Sequence, residues 1–466
     1  MSAINKQVAT SSLADQSLAS LMAIFDSRDV VLGDDALPYA VDESRALTPQ
    51  PSAVVFPRTH EQVVDLMHWA RSNKVPLVPS GGRTGLSGGA CAGANEVVVS
   101  MEKMNRILDF DPISGLVRVE AGVVLETLQE YCTERGWYYP VDYASKGSAQ
   151  MGGAVATNAG GIRVLKFGMT RDWVAGIKAV DGTGETLDID RCLVKDNSGY
   201  SVKDLLVGSE GTLAIVTEIT FRLTRPLEHQ HTLLVGIHDL DHMVDVFGKA
   251  RNLAQMNAAE FFSESAVRVV TELHGLKSPF HEHYPFYLLL EYDEAGLDID
   301  TLAEVFDGLD VIVSRNEKQK EYIWSLREWI SSSINAQKPY KNDVACRISH
   351  IKEWLHDLES GLNAVNPAVN FIWFGHLGDG NVHINVLPSP DMARVAFDVL
   401  HERFDQVISE IASQYHATIS AEHGVGVLKK DMLPGMLSDA EMTIYRKIKR
   451  VFDPDGILNP GKLFDG

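Results

Sequence analysis

At 466 residues the chain is too long for one hydrophobic core and predicts two or three domains. Apolar residues make up 45% and charged residues 23%, the balance of a globular protein, and no apolar run reaches membrane-spanning length, which excludes disordered and membrane classes. A net charge of −21, with no long lysine or arginine run, argues against a nucleic-acid partner, so an acid bound by this chain must be met by locally focused positive charge.

The N-terminus, with Asp15 and no arginine before Arg28, has neither the apolar core of a secretory signal nor the basic character of an organellar one, and a cytoplasmic protein is expected. Cys91, Cys132, Cys192 and Cys346 are scattered without CxxC spacing, which points away from a disulfide framework or a thiolate metal site and toward a reducing compartment. Residues 13–31 read as a helical prelude. From Ala53 the pattern turns to strand (54–56), helix (61–73) and strand (76–79), an α+β opening.

A glycine-dense loop follows, Ser80-Gly81-Gly82-Arg83-Thr84-Gly85-Leu86-Ser87-Gly88-Gly89, whose backbone amides can surround a pyrophosphate. A Rossmann unit would continue into a helix at this point. Here the next apolar run, Val97-Val98-Val99, reads as another strand, so the loop must bind through its own amides. A second glycine-rich loop spans residues 152–161 and a third segment runs from Leu206 to Leu213. Between them lie a strand at 116–119 and a hairpin of 177–180 with 186–189, turned by Gly182-Thr183-Gly184. A ligand of nucleotide size spread over several loops is implied.

Residues 50–225 resemble the flavin-binding domain of the vanillyl-alcohol-oxidase type, also called the PCMH-type FAD domain, on these three motifs. The resemblance implies that Pro79, Ser80, Gly81, Gly82, Arg83, Thr84 and Gly85 carry the pyrophosphate. Ser148, Gly152, Gly153, Thr157, Asn158 and Gly161 would lie along the flavin, and Glu210, Gly211 and Ile215 would continue the site. Some members attach flavin through a histidine after a Ser-Gly-Gly stretch; Arg83 stands there, which implies non-covalent FAD.

After Pro226 the glycine loops cease, and strands at 232–237, 286–291 and 311–313 alternate with helical stretches such as 242–253, suiting an antiparallel sheet covered on one face. Tyr322 to Asn335 has helical periodicity, with Arg327 and Ser331 four residues apart on one face and Lys341 just beyond. Arginine and lysine can clamp the carboxylates of an organic acid, and they can equally be a solvated surface pair.

The segment Gly375-His376-Leu377-Gly378-Asp379-Gly380-Asn381-Val382-His383 reads as a hairpin whose tight turn brings both imidazoles to one end of a buried strand pair. Farther on stands Glu422-His423-Gly424. Two imidazoles and a carboxylate can hold a divalent ion such as Zn²⁺ with one position open, leaving a spare histidine as base. The tail from Phe452 to Lys462 is a capped helix end followed by turns.

As a whole the chain resembles the D-2-hydroxy-acid dehydrogenase branch of the FAD-linked oxidases. That resemblance implies Zn²⁺ on His376, His383 and Glu422, His423 as base, substrate held by Arg327, Ser331, Lys341 and Asn385, and Asn459 near the flavin. It further implies hydride transfer from a D-2-hydroxy acid to flavin N5, with a diacid such as D-2-hydroxyglutarate or D-malate preferred over D-lactate. Electrons would leave to a separate acceptor such as an electron-transfer flavoprotein or a quinone, and a homodimer is compatible with it. Serine at 331, where threonine is familiar, and the spacing to Lys341 make the substrate residues the weaker part of the match. The expected division is an FAD-binding domain over 1–225, a substrate- and metal-binding domain over 226–425, and a C-terminal helical segment over 426–466 that returns to the first. The rivals are a D-lactate or glycolate dehydrogenase, a non-catalytic flavin-carrying electron-transfer subunit, and a structural zinc site.

Overall fold

The computed structural model describes residues 13–294, 297 and 299–465. The chain forms two compact units. The first comprises the described residues up to Gly160, then Met169–Pro226 and Glu422 onward; the second comprises Gly161–Gly168 and Leu227–Ala421.

The first unit holds two sheets. One has the order β1 (Val30–Val31), β2 (Ala53–Val55), β4 (Val97–Ser100), β3 (Leu77–Ser80), with β2, β4 and β3 parallel. The other is antiparallel, in the order β5 (Ile107–Asp111), β6 (Leu116–Glu120), β9 (Ala214–Arg222), β7 (Val174–Asp181), β8 (Thr186–Ile189). The helix His60–Asn73 begins at Thr59, whose hydroxyl accepts from the Gln62 amide, and ends on a left-handed Lys74. Its Val63, Leu66, Met67 and Ala70 share one core with Val55, Leu77 and Val99 of the first sheet and with Val117, Ile177 and Phe221 of the second. The expected prelude is α-helical over Asp15–Leu21 and 3₁₀-helical over Ser27–Asp29; Val30 and Val31 instead pair with β2, because two β-branched residues fit a sheet edge better than a helix.

The second unit is built on a seven-stranded antiparallel sheet in the order β13 (Val311–Val313), β10 (Gln230–Ile237), β12 (Phe286–Asp293), β11 (Met256–Ser263), β15 (Asn370–His376), β16 (Asn381–Leu387), β14 (Tyr340–Ala345). The expectation of one covered face is corrected, since apolar side chains alternate to both faces and each meets helices. Val235, Phe261, Leu290 and Trp373 pack with the helices Leu240–Ala250, Ile351–Val365 and His401–Gln414. Leu234, Phe262, Leu289 and Phe374 pack with Glu264–His274, Glu317–Glu328 and Ile330–Asn335. Among the described residues no helix is long and apolar enough to cross a membrane.

Candidate active site

In the first unit the glycine segments converge. A Cβ on Gly82 would lie 2.0 Å from the Ser148 carbonyl oxygen, so the first loop is pressed against the segment leading into the second. Residues 152–157 are not a loop, as the glycines suggest, but part of the helix Met151–Thr157. Gly152 serves packing: its amide donates to the Ala121 carbonyl at 2.7 Å, and a side chain there would strike the Ala121 methyl. The helix closes on a left-handed Asn158, and Thr157 bonds back to the Gly153 carbonyl. The carbonyls of Val155 and Ala156 accept from the Gly208 and Glu210 amides, joining the third segment to the second. Gly211 lies against Pro79, and Ile215 is buried on β9. Arg83 is left-handed (φ 57°), with its guanidinium 4.9 Å from the Tyr39 ring, beside Thr84 and Gly85 in the open part of the loop. Gly161 groups with the second unit at the head of the segment 161–168, where Arg163 pairs with Glu291 at 2.7 Å.

Asn459 stitches the loops together. Its side-chain amide donates to the carbonyls of Gly89 (2.9 Å) and Glu210 (2.7 Å). Asp453 holds the turn that delivers it by accepting from the Ile457 and Leu458 amides. Where the segments meet, Ser80 Oγ, Gln150 Oε1 and Asn459 Oδ1 are buried without a hydrogen-bond partner. A buried polar atom left unsatisfied costs about 1–3 kcal/mol, so polar groups of a bound cofactor fit this place. Gln150 had no signal in the sequence.

Glu422 and His423 stand where the chain re-enters the first unit. Ser87 Oγ donates to the His423 carbonyl at 3.0 Å. The Glu210 carboxylate accepts from the Val425 and Gly426 amides, both at 2.7 Å. Burial pushes that carboxyl up, while the two amides and Lys429 oppose the rise. Gly424 (φ 81°) and Gly426 (φ 51°) are required here, since a Cβ on the first would approach Glu210 Oε1 to 2.8 Å and on the second Ser87 O to 2.1 Å. Glu210, expected at the cofactor, holds the Val425 and Gly426 amides, and Ser87, which holds the His423 carbonyl, had no signal in the sequence.

In the second unit the hairpin forms with His376 opposite Asn381 and Phe374 opposite His383. Cross-strand pairing puts Glu260, His376 and Asn381 in one row of a sheet face, Phe374, His383 and Asp343 in the next, and Asn385 with Lys341 in a third. The Nε2 atoms of His376 and His383 face each other at 3.4 Å, long for a hydrogen bond. Two Zn–N bonds of about 2.0–2.1 Å at a tetrahedral angle separate their nitrogens by about 3.3–3.4 Å, so the pair fits a zinc ion. His376 Nδ1 meets the fully buried Glu260 at 2.7 Å, and His383 Nδ1 stands 3.5 Å from the fully buried Asp343, which accepts from Asn381 Nδ2 at 2.6 Å. At hydrogen-bond distance, the Glu260 carboxylate behind His376 Nδ1 favours the proton there and the lone pair on Nε2. Burial also pushes the Asp379 carboxyl up, against the favourable charge of His376.

Arg327 is 6% exposed, with Nε 2.7 Å from Glu260 Oε2 and its guanidinium over the Phe374 ring at 4.7 Å. This is not a solvated surface arginine. Lys341 donates to Asn335 Oδ1 at 2.6 Å and sits opposite Asn385 across β14 and β16. The helical stretch is interrupted at Trp329, between Glu317–Glu328 and Ile330–Asn335, but Trp329 stays right-handed helical, and the Trp329 and Ser333 amides donate to the Ser325 and Trp329 carbonyls, so the helical path continues from Arg327 to Ser331. Serines at 331–333 compete for backbone hydrogen bonds, and Ser332 Oγ indeed donates to the Trp329 carbonyl.

Residues 51–190 match the FAD binding domain family and residues 226–463 the C-terminal domain family of FAD linked oxidases. The chain therefore belongs to the FAD-linked oxidases and is an FAD-dependent oxidoreductase. Within that family it falls among D-2-hydroxyglutarate dehydrogenase-like proteins. It is 40% identical over 453 residues to a D-2-hydroxyglutarate dehydrogenase of Stutzerimonas stutzeri, covering 95% of this chain and 98% of that one. It is 41% identical over 435 residues to one of Xanthomonas citri pv. viticola, covering 92% of each. Among solved structures, p-cresol methylhydroxylase with substrate bound matches with a TM-score of 0.78 at 16% identity over 98% of this chain and 99% of that one, a likeness of fold.

Proposed function

We propose that the protein oxidises a D-2-hydroxy acid to the 2-oxo acid, with D-2-hydroxyglutarate the best-fitting substrate and D-malate next, using non-covalent FAD and Zn²⁺. The observation that carries the metal reading is the facing pair of Nε2 atoms at 3.4 Å, each imidazole with a buried carboxylate on its far side. When bound, FAD supplies the acceptor for a hydride from C2, and Zn²⁺ supplies a Lewis acid for the hydroxyl and C1 carboxylate.

His376 and His383 provide the nitrogen ligands. Glu422 is assigned as the carboxylate ligand and His423 as the base that takes the hydroxyl proton, on their chemistry and their place in the sequence motif. Hydride and proton together leave the substrate two electrons poorer, as the 2-oxo acid. Arg327 and Lys341 bind the distal carboxylate, with Asn385 and Ser331 beside them, and that second charge pair favours a diacid over D-lactate. A buried arginine already stacked on Phe374 loses little freedom on binding, which suits it to this task. The flavin loops are those of residues 79–89, 148–161 and 210–215, with Asn459. A separate acceptor, such as an electron-transfer flavoprotein or a quinone, would take the electrons that bound FAD receives.

Flavin bleaching by a panel of D- and L-2-hydroxy acids, with and without chelator, tests substrate, stereochemistry and metal together. Faster reduction by D-lactate or glycolate than by D-2-hydroxyglutarate would reject the diacid assignment. Reduction that survives His423→Ala would reject His423 as the base, and a wild-type flavin that no hydroxy acid reduces would favour the non-catalytic subunit. Unfolding on chelation, rather than loss of turnover in a folded protein, would make the zinc structural.

A further inference from the structure

Building on the proposed metal and substrate roles, we infer that Glu260 is a positioning residue shared by both: one buried carboxylate fixes the metal-ligand imidazole of His376 and the substrate-binding guanidinium of Arg327. Glu260 lies on the interior strand β11, opposite His376 in register, and is 0% exposed. Its two oxygens divide the work. Oε1 is 2.7 Å from His376 Nδ1 and Oε2 is 2.7 Å from Arg327 Nε.

An anion in this place answers two needs. A guanidinium cannot lose its proton, so a buried arginine requires a counter-charge. A ligand imidazole requires a hydrogen-bond acceptor behind it to hold the tautomer whose Nε2 carries the lone pair. Glu260 also decides how Arg327 can meet a substrate. The 2.7 Å contact between Oε2 and Nε is an ion pair out of line for a hydrogen bond, so Glu260 sets the place of the guanidinium by charge while Phe374 at 4.7 Å sets its plane. The same side chain thus places both binding groups for one hydroxy acid.

The test uses the full-length FAD-loaded protein with Glu260→Gln and Glu260→Asp. Zinc affinity is measured by competition with a chromophoric chelator, FAD content by absorbance, and KM and kcat with D-2-hydroxyglutarate at saturating zinc. Glu260→Gln is expected to lower zinc affinity about 10–100-fold and to raise KM by a larger factor than it lowers kcat, with FAD retained. Glu260→Asp, which keeps the charge, recovers part of both. A folded, FAD-loaded Glu260→Gln protein with wild-type zinc affinity and KM overturns the inference. Wild-type protein that binds no zinc refutes the metal reading instead, and the KM comparison still decides whether Glu260 directs Arg327. Should neither variant fold, ¹⁵N spectra of wild-type histidines decide: His376 protonated at Nδ1 with zinc on Nε2 is expected, and zinc on Nδ1 overturns the proposal.

Discussion

His376 and His383 face each other through Nε2 at 3.4 Å, seven residues apart in the chain but adjacent across one hairpin. Each ring has a buried carboxylate on its far side, Glu260 at 2.7 Å from His376 Nδ1 and Asp343 at 3.5 Å from His383 Nδ1, so of the two His376 is the more tightly held. His383→Ala should therefore leave FAD bound while zinc content falls below one equivalent and flavin reduction slows by about 10³-fold. Metal analysis alongside stopped-flow absorbance checks it; full zinc occupancy in the variant would count against the pair as ligands.

Glu210 controls the backbone that follows His423. Removing its carboxylate by Glu210→Ala deletes two charge-assisted bonds to the Val425 and Gly426 amides, worth about 1.5–3 kcal/mol each. Hydrogen exchange at 424–428 should rise, and kcat should drop about ten- to a hundredfold. Unchanged exchange in that segment would show that Glu210 does not hold it.

Gly82→Ala places a methyl 2.0 Å from the Ser148 carbonyl oxygen. Backbone oxygen cannot yield as a side chain can, so the two loops must part. Purified protein should carry much less FAD than wild type at similar yield, which an absorbance ratio at 450 nm against 280 nm reads out on the order of a fewfold.

Asp29 predicts acid sensitivity in the first unit. Hydrogen bonding to Arg58, with Lys103 adding to it against the cost of burial, lowers its carboxyl from 3.8 to about 2. A depressed folded pKa stabilises the protein above the unfolded value, and that stability is lost as pH falls from about 3.8 through about 2. Arg58 is half exposed, so after screening the contribution is about 1–2 kcal/mol. Asp29→Asn should lower the Tm at neutral pH, and the gap from wild type should close at the acid end of that window.

All four cysteines are free thiols, and burial pushes Cys132, Cys192 and Cys346 up to about 12 and raises Cys91 as well. At pH 8 the thiolate fraction is small, so Ellman's reagent should label the native protein far more slowly than the denatured one. Rapid native labelling of one equivalent would identify a thiol that the fold exposes.

The sequence alone determined the local features, because these rest on neighbours in the chain. Glycine spacing and alternating apolar residues specify the His376–His383 hairpin, whose strands need only a four-residue turn to pair. The β-strand after the first glycine loop was legible for the same reason, and with it the departure from a Rossmann unit. Burial of one helical stripe against the sheet likewise marked His60–Asn73. Tertiary structure decided the rest. Glu260 is 116 residues from His376 and Glu210 is 215 from Val425, and no periodicity links positions so far apart. Their meeting depends on strand order and on which carboxylates the folded core can bury only when paired. Gly152 misled for a related reason: its small size serves a helix packed on Ala121, a need that exists only once those segments touch. The residue types therefore pointed to a chemistry, while the sheet register determined that Glu260 stands beside His376 and Asp343 beside His383.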